Sequence, residues 1–204
     1  IFIKNKILTP KFLKYSFKTS MNKKQFLKKL KSKLGFPLII KPLNEGSSVN
    51  VFICNKKNVI KNINKLLDYG EILLEKYIPG REIQVAILSG KILGAIELKP
   101  KRKFYDYQAK YNPKAKTEHL IPINISDRQY NEVTKIAQKA HRLLKCRGVS
   151  RSDFRFFKDK FYLLETNTQP GMTNLSLVPE IARYCGINFE DLILWMANNA
   201  STKR

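Results

Sequence analysis

The amino-acid sequence predicts a mixed α+β fold with largely antiparallel sheets. Two apolar-rich runs, residues 82–88 and 91–98, are joined by Ser89-Gly90, the signal of a tight β-hairpin. Residues 153–157 and 161–164 flank Lys158-Asp-Lys160 and read as a second hairpin. Helical periods upstream of Leu34 and downstream of Ser126 supply the helices, expected to pack on one side of the sheets. With 204 residues and 43% hydrophobic side chains, the chain can bury one sizeable core or two small α/β units.

In chain order, Thr19 or Ser20 can cap a helix that runs to Leu34 and stops at Gly35. Residues 36–41 form a strand, and Asn44-Glu-Gly-Ser-Ser-Val49 is a small-residue turn before a second strand ending at Cys54. Asn55 caps the next helix, with Val59, Ile60, Ile63, Leu66 and Leu67 on its apolar side. Strands follow at 72–77, 82–88 and 91–98. Residues 99–125 have no clear period, and an irregular stretch of that length is either functional or disordered. Ser126 caps a long helix to about Lys145, which turns Tyr130, Val133, Ile136, Ala137, Ala140, Leu143 and Leu144 inward. After the second hairpin come helices near 177–185 and 189–198.

A formal charge of +23 invites a polyanion as partner. The lysines, however, are spread along the chain and form the polar sides of amphipathic helices, as in residues 23–33, where Phe26, Leu27 and Leu30 interrupt them. A basic nucleic-acid-binding module is therefore the weaker alternative. No apolar run approaches the roughly 18 residues that cross a bilayer. Cys54, Cys146 and Cys185 are scattered and lack metal spacing, which fits reduced thiols of a cytoplasmic protein. The chain opens on Ile1 in mid-pattern, as a chain without its natural N-terminus would. His119 and His141 are given no catalytic role.

The second hairpin carries the chemistry. Strand side chains alternate, so Arg151 shares a face with Asp153, and Glu165 with Asn167. A three-residue loop at 158–160 sets Phe157 opposite Phe161, Asp153 opposite Glu165 and Arg151 opposite Asn167. Phe154, Phe156, Tyr162 and Leu164 then share the other face. A two-residue loop would slip the register and send the two acids to opposite faces. Two carboxylates and an amide oxygen beside an arginine are hard ligands suited to Mg²⁺, which usually bridges to phosphates. The plain alternative is a surface hairpin with solvated charges. Against it stands the polar loop from Asn167 to Thr173, with its Pro170-Gly171, directly after the strand.

Six motifs lie in a telling order: Ile40-Lys-Pro42, Glu45-Gly-Ser-Ser-Val49, Leu74-Glu-Lys-Tyr-Ile-Pro-Gly-Arg-Glu82, Phe104-Tyr-Asp-Tyr-Gln-Ala-Lys-Tyr111, Arg151-x-Asp153 and Glu165-x-Asn-x-x-Pro-Gly-Met-Thr-x-x-Ser-Leu-Val-Pro179. Together they resemble the D-alanine–D-alanine ligase family of the ATP-grasp superfamily. The resemblance implies two α+β subdomains clasping ATP, a central one at 1–76 and a C-terminal one at 77–204 that carries the metal and D-alanine sites. It implies a two-step reaction: one D-alanine carboxylate takes the γ-phosphate to give an acyl phosphate. The amine of a second D-alanine then displaces phosphate, making a precursor of the bacterial cell wall.

The same resemblance assigns roles to residues. Lys41 would reach the α/β-phosphates, and Ser47 and Ser48 belong to a loop that folds over them. Glu75, Lys76 and Ile78 would lie beside the adenine, and Glu82 would bind the ribose hydroxyls. Lys110 would touch the γ-phosphate, while Tyr105 and Tyr111 sit on a closing loop that shields the acyl phosphate from water. Arg151 would stabilise the oxyanion and the transferring phosphate, and the Gly171 N–H would complete the oxyanion hole. Asp153, Glu165 and Asn167 would hold two Mg²⁺ ions, with Mn²⁺ as an alternative. Ser176 and the Leu177 N–H would receive the carboxylate of the second D-alanine.

The chain departs from the family pattern at Asn50 for Gly, Gln108 for Glu and Gln169 for Ser. Asn tolerates positive φ, so the first change is mild. The family commonly forms homodimers, and its N-terminal domain, which supplies a glutamate for the first D-alanine and part of the substrate floor, would lie upstream of Ile1 together with a further ATP-binding lysine. An inactive ATP-binding fragment, or a related ligase using D-lactate or D-serine as second substrate, are the alternatives. Neither nucleic acid nor membrane is expected as a partner.

Overall fold

Residues 1–17, 22–46, 48–99 and 117–201 are described by a computed structural model, and they divide into two units. One is Pro10–Ile78; the other joins Ile1–Thr9 and Pro79–Lys99 to the described residues from Glu118 onward. The first nine residues go with the larger unit because Ile7 is buried in its core and the Leu8 carbonyl accepts a 2.9 Å hydrogen bond from the Leu163 N–H.

In the smaller unit, strands β1 (Phe12–Ser16), β2 (Leu38–Pro42), β3 (Phe52–Cys54) and β4 (Glu71–Lys76) form a sheet in the order β1-β4-β2-β3, with every described pairing antiparallel. Helix α1 (Lys23–Lys33) buries Phe26 and Leu30 against it. Its cap is Asn22, whose side chain accepts from the Lys24 and Gln25 N–H groups at 2.9 and 3.4 Å. The expected caps Thr19 and Ser20 lie outside the described residues. Gly35, at φ 76°, ends the helix as expected and donates to the Leu30 carbonyl. Asn55 does not cap α2 (Val59–Asn64); it accepts from the Lys57 and Asn58 N–H groups in the preceding turn. Because α2 ends at Asn64 and a 3₁₀ turn follows, Leu67 leaves the apolar side and is 52% exposed. Strand β1 was not expected: as an edge strand only Leu13 and Tyr15 pack inward, leaving too short an alternation to read.

In the larger unit, β5 (Arg81–Leu88), β6 (Lys91–Lys99), β7 (Glu118–Leu120), β8 (Val149–Phe157) and β9 (Lys160–Asn167) form an antiparallel sheet in the order β7-β6-β5-β8-β9. Helix α3 (Asp127–Leu143) starts in a capping box of Ser126 and Gln129 and lays Val133, Ala137 and Ala140 on Ile83, Val85, Phe154 and Leu163. Helices do not keep to one side. Gly94 faces away from Ala95 and that core, and a Cβ there would come within 2.8 Å of Ile181 on α4 (Leu177–Tyr184). Helix α5 (Phe189–Asn198) follows, capped by Asn188. Strand β7 falls within the stretch expected to be irregular, of which residues 100–116 lie outside the described residues.

The metal-type hairpin differs from expectation in its turn. Phe157 pairs with Lys160, so the loop is the two residues Lys158 and Asp159, at φ 49° and 54°. That register runs through Phe156↔Phe161 to Phe154↔Leu163, then jumps to Asp153↔Glu165. Leu164 is the extra residue of a β-bulge, and it returns the two acids to one face. The apolar face is therefore Phe154, Phe156, Phe161 and Leu163, not the expected set with Tyr162 and Leu164. The Phe156 and Phe161 rings stack at 4.4 Å, and Phe154 meets Phe161 edge-on at 6.5 Å.

His141 is buried on α3 with Nδ1 2.7 Å from the Ser150 hydroxyl, and burial lowers its pKa from the ordinary value. The three cysteines are free, and burial raises the pKa of each thiol. Among the described residues no helix is long and apolar enough to cross a membrane.

Candidate nucleotide and metal site

Side chains directly opposite in a sheet share a face, so the registers define one polar surface of the larger unit. Glu82 pairs with Arg155, Gln84 with Asp153 and Ala86 with Arg151 across β5 and β8; Asp153 pairs with Glu165 and Arg151 with Asn167 across β8 and β9. This surface lies opposite the Phe154 and Val85 face that α3 covers. Arg151 grips Asp153 with two hydrogen bonds, Nε to Oδ1 at 2.7 Å and Nη2 to Oδ2 at 3.0 Å. Asp153 is buried, whereas Glu165 is exposed and accepts from the Asn167 amide at 3.4 Å.

The donor set fits Mg²⁺. Among the described residues no three His, Cys, Asp or Glu side chains gather into a full metal cage. Two carboxylates and one amide on a shared face are instead the sparse protein share that Mg²⁺ takes when substrate phosphates and waters complete its shell.

Behind this row, Ser152 and Thr166 hydroxyls meet at 2.9 Å and tie β8 to β9. At its far end Arg155 bridges to Glu82, Nη2 to Oε2 at 3.1 Å, and donates through Nη1 to the Gly80 carbonyl at 3.1 Å. Between them Gln84 is buried with its Oε1 lacking a hydrogen-bond partner among the described residues. An orphaned buried acceptor costs about 1–3 kcal/mol, so a donor is expected there when the site is filled. Arg155 and Gln84 were missed in the sequence. The signal was the strict alternation Glu82-Ile-Gln84-Val and Asp153-Phe-Arg155-Phe, which extends the polar face past the acids.

The loop after β9 closes on Ser176. The Ser176 hydroxyl accepts from the Thr173 N–H at 3.0 Å and contacts the Thr173 hydroxyl at 2.9 Å, and makes no capping bond to α4. Pro179 at the third helical position has no N–H to offer it. A Cβ at Gly171 would lie 3.0 Å from that hydroxyl, so glycine lets the loop approach. Leu177 begins α4 and is buried.

In the smaller unit, the Lys41 ammonium on β2 meets Glu75 on β4 at 2.8 Å, and Glu75 is buried. Lys76 is exposed, and its N–H donates to the Lys11 carbonyl at 2.8 Å; Ile78 is buried. Ser48 and Asn50 take the left-handed conformation at φ 60° and 54°, and the Asn50 amide donates to the Tyr69 hydroxyl at 2.7 Å. The remaining expected site residues, Ser47, Tyr105, Lys110 and Tyr111, lie outside the described residues, as does Gln108.

Two antiparallel sheets, the larger with helices on both faces and a row of acids and arginines at β8–β9, define an ATP-grasp fold. A D-alanine–D-alanine ligase from Bacillus anthracis shares it at a TM-score of 0.83 and 32% identity, over 97% of this chain and 64% of that one. A second structure of the ligase from that organism, complexed with ATP, matches at a TM-score of 0.80 and 27% identity, over 97% and 62%. The sequence model described as D-ala D-ala ligase C-terminus matches residues 4–197, and the chain belongs to that family. A D-alanine–D-alanine ligase of Pelagibacter ubique is 59% identical over all 204 residues. The chain spans 66% of that relative's length, just under two thirds.

Proposed function

We propose that this chain is the nucleotide- and metal-binding part of an ATP-dependent D-alanine–D-alanine ligase. The observation that carries it is the pairing of Asp153 with Glu165 on one face, next to Asn167 and an Arg151 held in a two-point grip.

The first step of such a ligase moves the γ-phosphate of ATP to a D-alanine carboxylate. Mg²⁺, held by Asp153, Glu165 and Asn167, would supply charge neutralisation on the phosphates. Arg151 is fixed by Asp153, so its guanidinium would meet oxygens that gain charge without reorganisation during the step. Glu82 is the acid for the ribose hydroxyls. In the smaller unit, Lys41 reaches phosphate once it leaves Glu75, while Glu75, Lys76 and Ile78 lie beside the base. Since the Lys76 N–H is already bonded to Lys11, backbone donation to the base from this segment falls to Ile78, beside the exposed Lys76 ammonium.

In the second step the amine of another D-alanine attacks the acyl phosphate and phosphate leaves. The Gly171 N–H and Arg151 would hold the tetrahedral oxyanion. The second D-alanine carboxylate would meet Ser176 and the N-terminal turn of α4, where no side chain caps the helix. Ser48 in the smaller unit, with Ser47, Lys110, Tyr105 and Tyr111, takes the phosphate and closing-loop roles that the resemblance assigns. Peptidoglycan precursor synthesis in the cytoplasm and a homodimer belong to the same proposal.

ADP formation measured against a panel of D-amino acids and D-hydroxy acids tests it. D-Alanine-dependent ADP release with formation of the D-alanyl dipeptide is expected. Ester formation with D-lactate, or preference for D-serine, would move the assignment to a related ligase. Absence of nucleotide turnover by a version extended to the relatives' full length would overturn it.

A further inference from the structure

We propose, resting on the nucleotide-binding reading above, that Arg155 is a nucleotide-positioning residue that holds the Glu82 carboxylate in the orientation receiving the ribose hydroxyls. Its place comes first. Arg155 pairs with Glu82 and stands two residues from Asp153 on the same strand, so its side chain emerges on the face of the metal-type acids. A nucleotide whose phosphates lie over Asp153 and Glu165 reaches Glu82 with its sugar by running along this row.

The geometry is that of a clamp. Arg155 binds Glu82 Oε2 through Nη2 and the Gly80 carbonyl through Nη1, both at 3.1 Å. A planar guanidinium fixed at two points fixes the carboxylate it touches. Its backbone anchor is itself constrained. Gly80 sits at φ 108°, and a Cβ there would collide with the Phe156 carbonyl oxygen. A carboxylate has about four lone-pair directions, so a guanidinium contact does not by itself exclude hydroxyl donors.

Stability does not account for the pair. Both side chains are only 10% exposed, and the desolvation of such a pair offsets most of its attraction. Charge does account for it. Glu82, Asp153 and Glu165 would together repel a triphosphate, and Arg151 and Arg155 flank Asp153 on the same surface. Gln84, between Glu82 and Asp153, brings a buried acceptor without a partner among the described residues, as expected beside an absent polar ligand.

Calorimetric titration of the 204-residue chain with ATP and with 2′-deoxy-ATP, in excess Mg²⁺, tests this. The wild type should prefer ATP by about ten-fold, the value of a hydrogen bond to a charged group. Arg155→Met should lose about ten-fold in ATP affinity, and its ATP to 2′-deoxy-ATP ratio should fall toward one. Arg155→Lys should recover part of the ratio. Glu82→Gln alone should match Arg155→Met, and the double variant should be no worse than either. If Arg155→Met does not fold, Arg155→Lys and Glu82→Gln still give the comparison. An unchanged ratio in the Arg155 variants, whatever their melting temperature, overturns the proposal, as do additive losses in the double variant. A wild type that binds no ATP overturns the underlying nucleotide reading instead, and the proposal with it.

Discussion

The two faces of the larger sheet use the same strands for opposite ends. On the side of α3, Ile83, Val85, Phe154, Phe161 and Leu163 form a closed apolar core. On the other side Glu82, Gln84, Arg151, Asp153, Arg155 and Glu165 form the polar row. Each face carries an Arg–Glu pair rooted in β5. Arg81 meets Glu97 through two bonds of 2.8 and 2.5 Å and lies over the Phe156 ring, while Arg155 meets Glu82 at 3.1 Å. The first is a two-point grip, and the Glu97 hydrogen bond raises the Arg81 pKa. The second lies on the face of the metal-type acids. Period-two alternation lets one strand serve structure and chemistry at once, and changes on either side should separate cleanly.

The largest effect should come from the core face. Phe161→Ala is expected to cost about 3–5 kcal/mol in a denaturant titration, with the nucleotide affinity of the folded protein changed by less than about two-fold. A large affinity loss would show that the faces are coupled. Next, Arg81→Met should cost about 3 kcal/mol, because it strands the buried Glu97. The double variant Arg81→Met with Glu97→Leu should recover most of that loss; failure to recover would make the pair more than a mutual compensation.

A smaller effect concerns pH. Burial depresses the His141 pKa, so on acidification the unfolded chain takes up this proton before the folded one. The stability from burying neutral His141 is present above about pH 6.5 and is lost as pH falls through the lower folded-state value, by at most about 1.4 kcal/mol per pH unit. Replacing His141 with Gln should flatten this part of the stability profile measured from pH 7.5 to pH 5. The smallest effect is at the β5–β6 turn, where Ser89 has φ 52°. Ser89→Asn should raise the unfolding free energy by about 0.5 kcal/mol, since Asn-Gly suits this turn.

Much of this was legible in the chain itself. The Ser89-Gly90 hairpin, the Ser126 cap and the apolar sides of the long helices follow from local chemistry, and the structure keeps them. What misled was the hairpin at Lys158-Asp159. Lysine and aspartate do not announce a turn with two positive φ angles, so a three-residue loop looked natural. The acids nevertheless face each other because Leu164 bulges, and a bulge leaves no mark in an apolar run. Strand β1 and the packing of α4 on the second face were hidden for another reason. An edge strand, and a face shared by Gly94 and Ile181, are decided by tertiary partners rather than by local pattern.

The account depends most on Asp153 and Glu165 acting together on bound phosphate. Thermal unfolding of the chain with and without saturating ATP and Mg²⁺, compared between wild type and Glu165→Gln, tests this directly. Without ligand the two should unfold within about 0.5 kcal/mol of each other, because Glu165 is exposed. With ligand the wild type should gain about 5–10 °C and the variant almost nothing. An equal gain in both proteins would contradict the account.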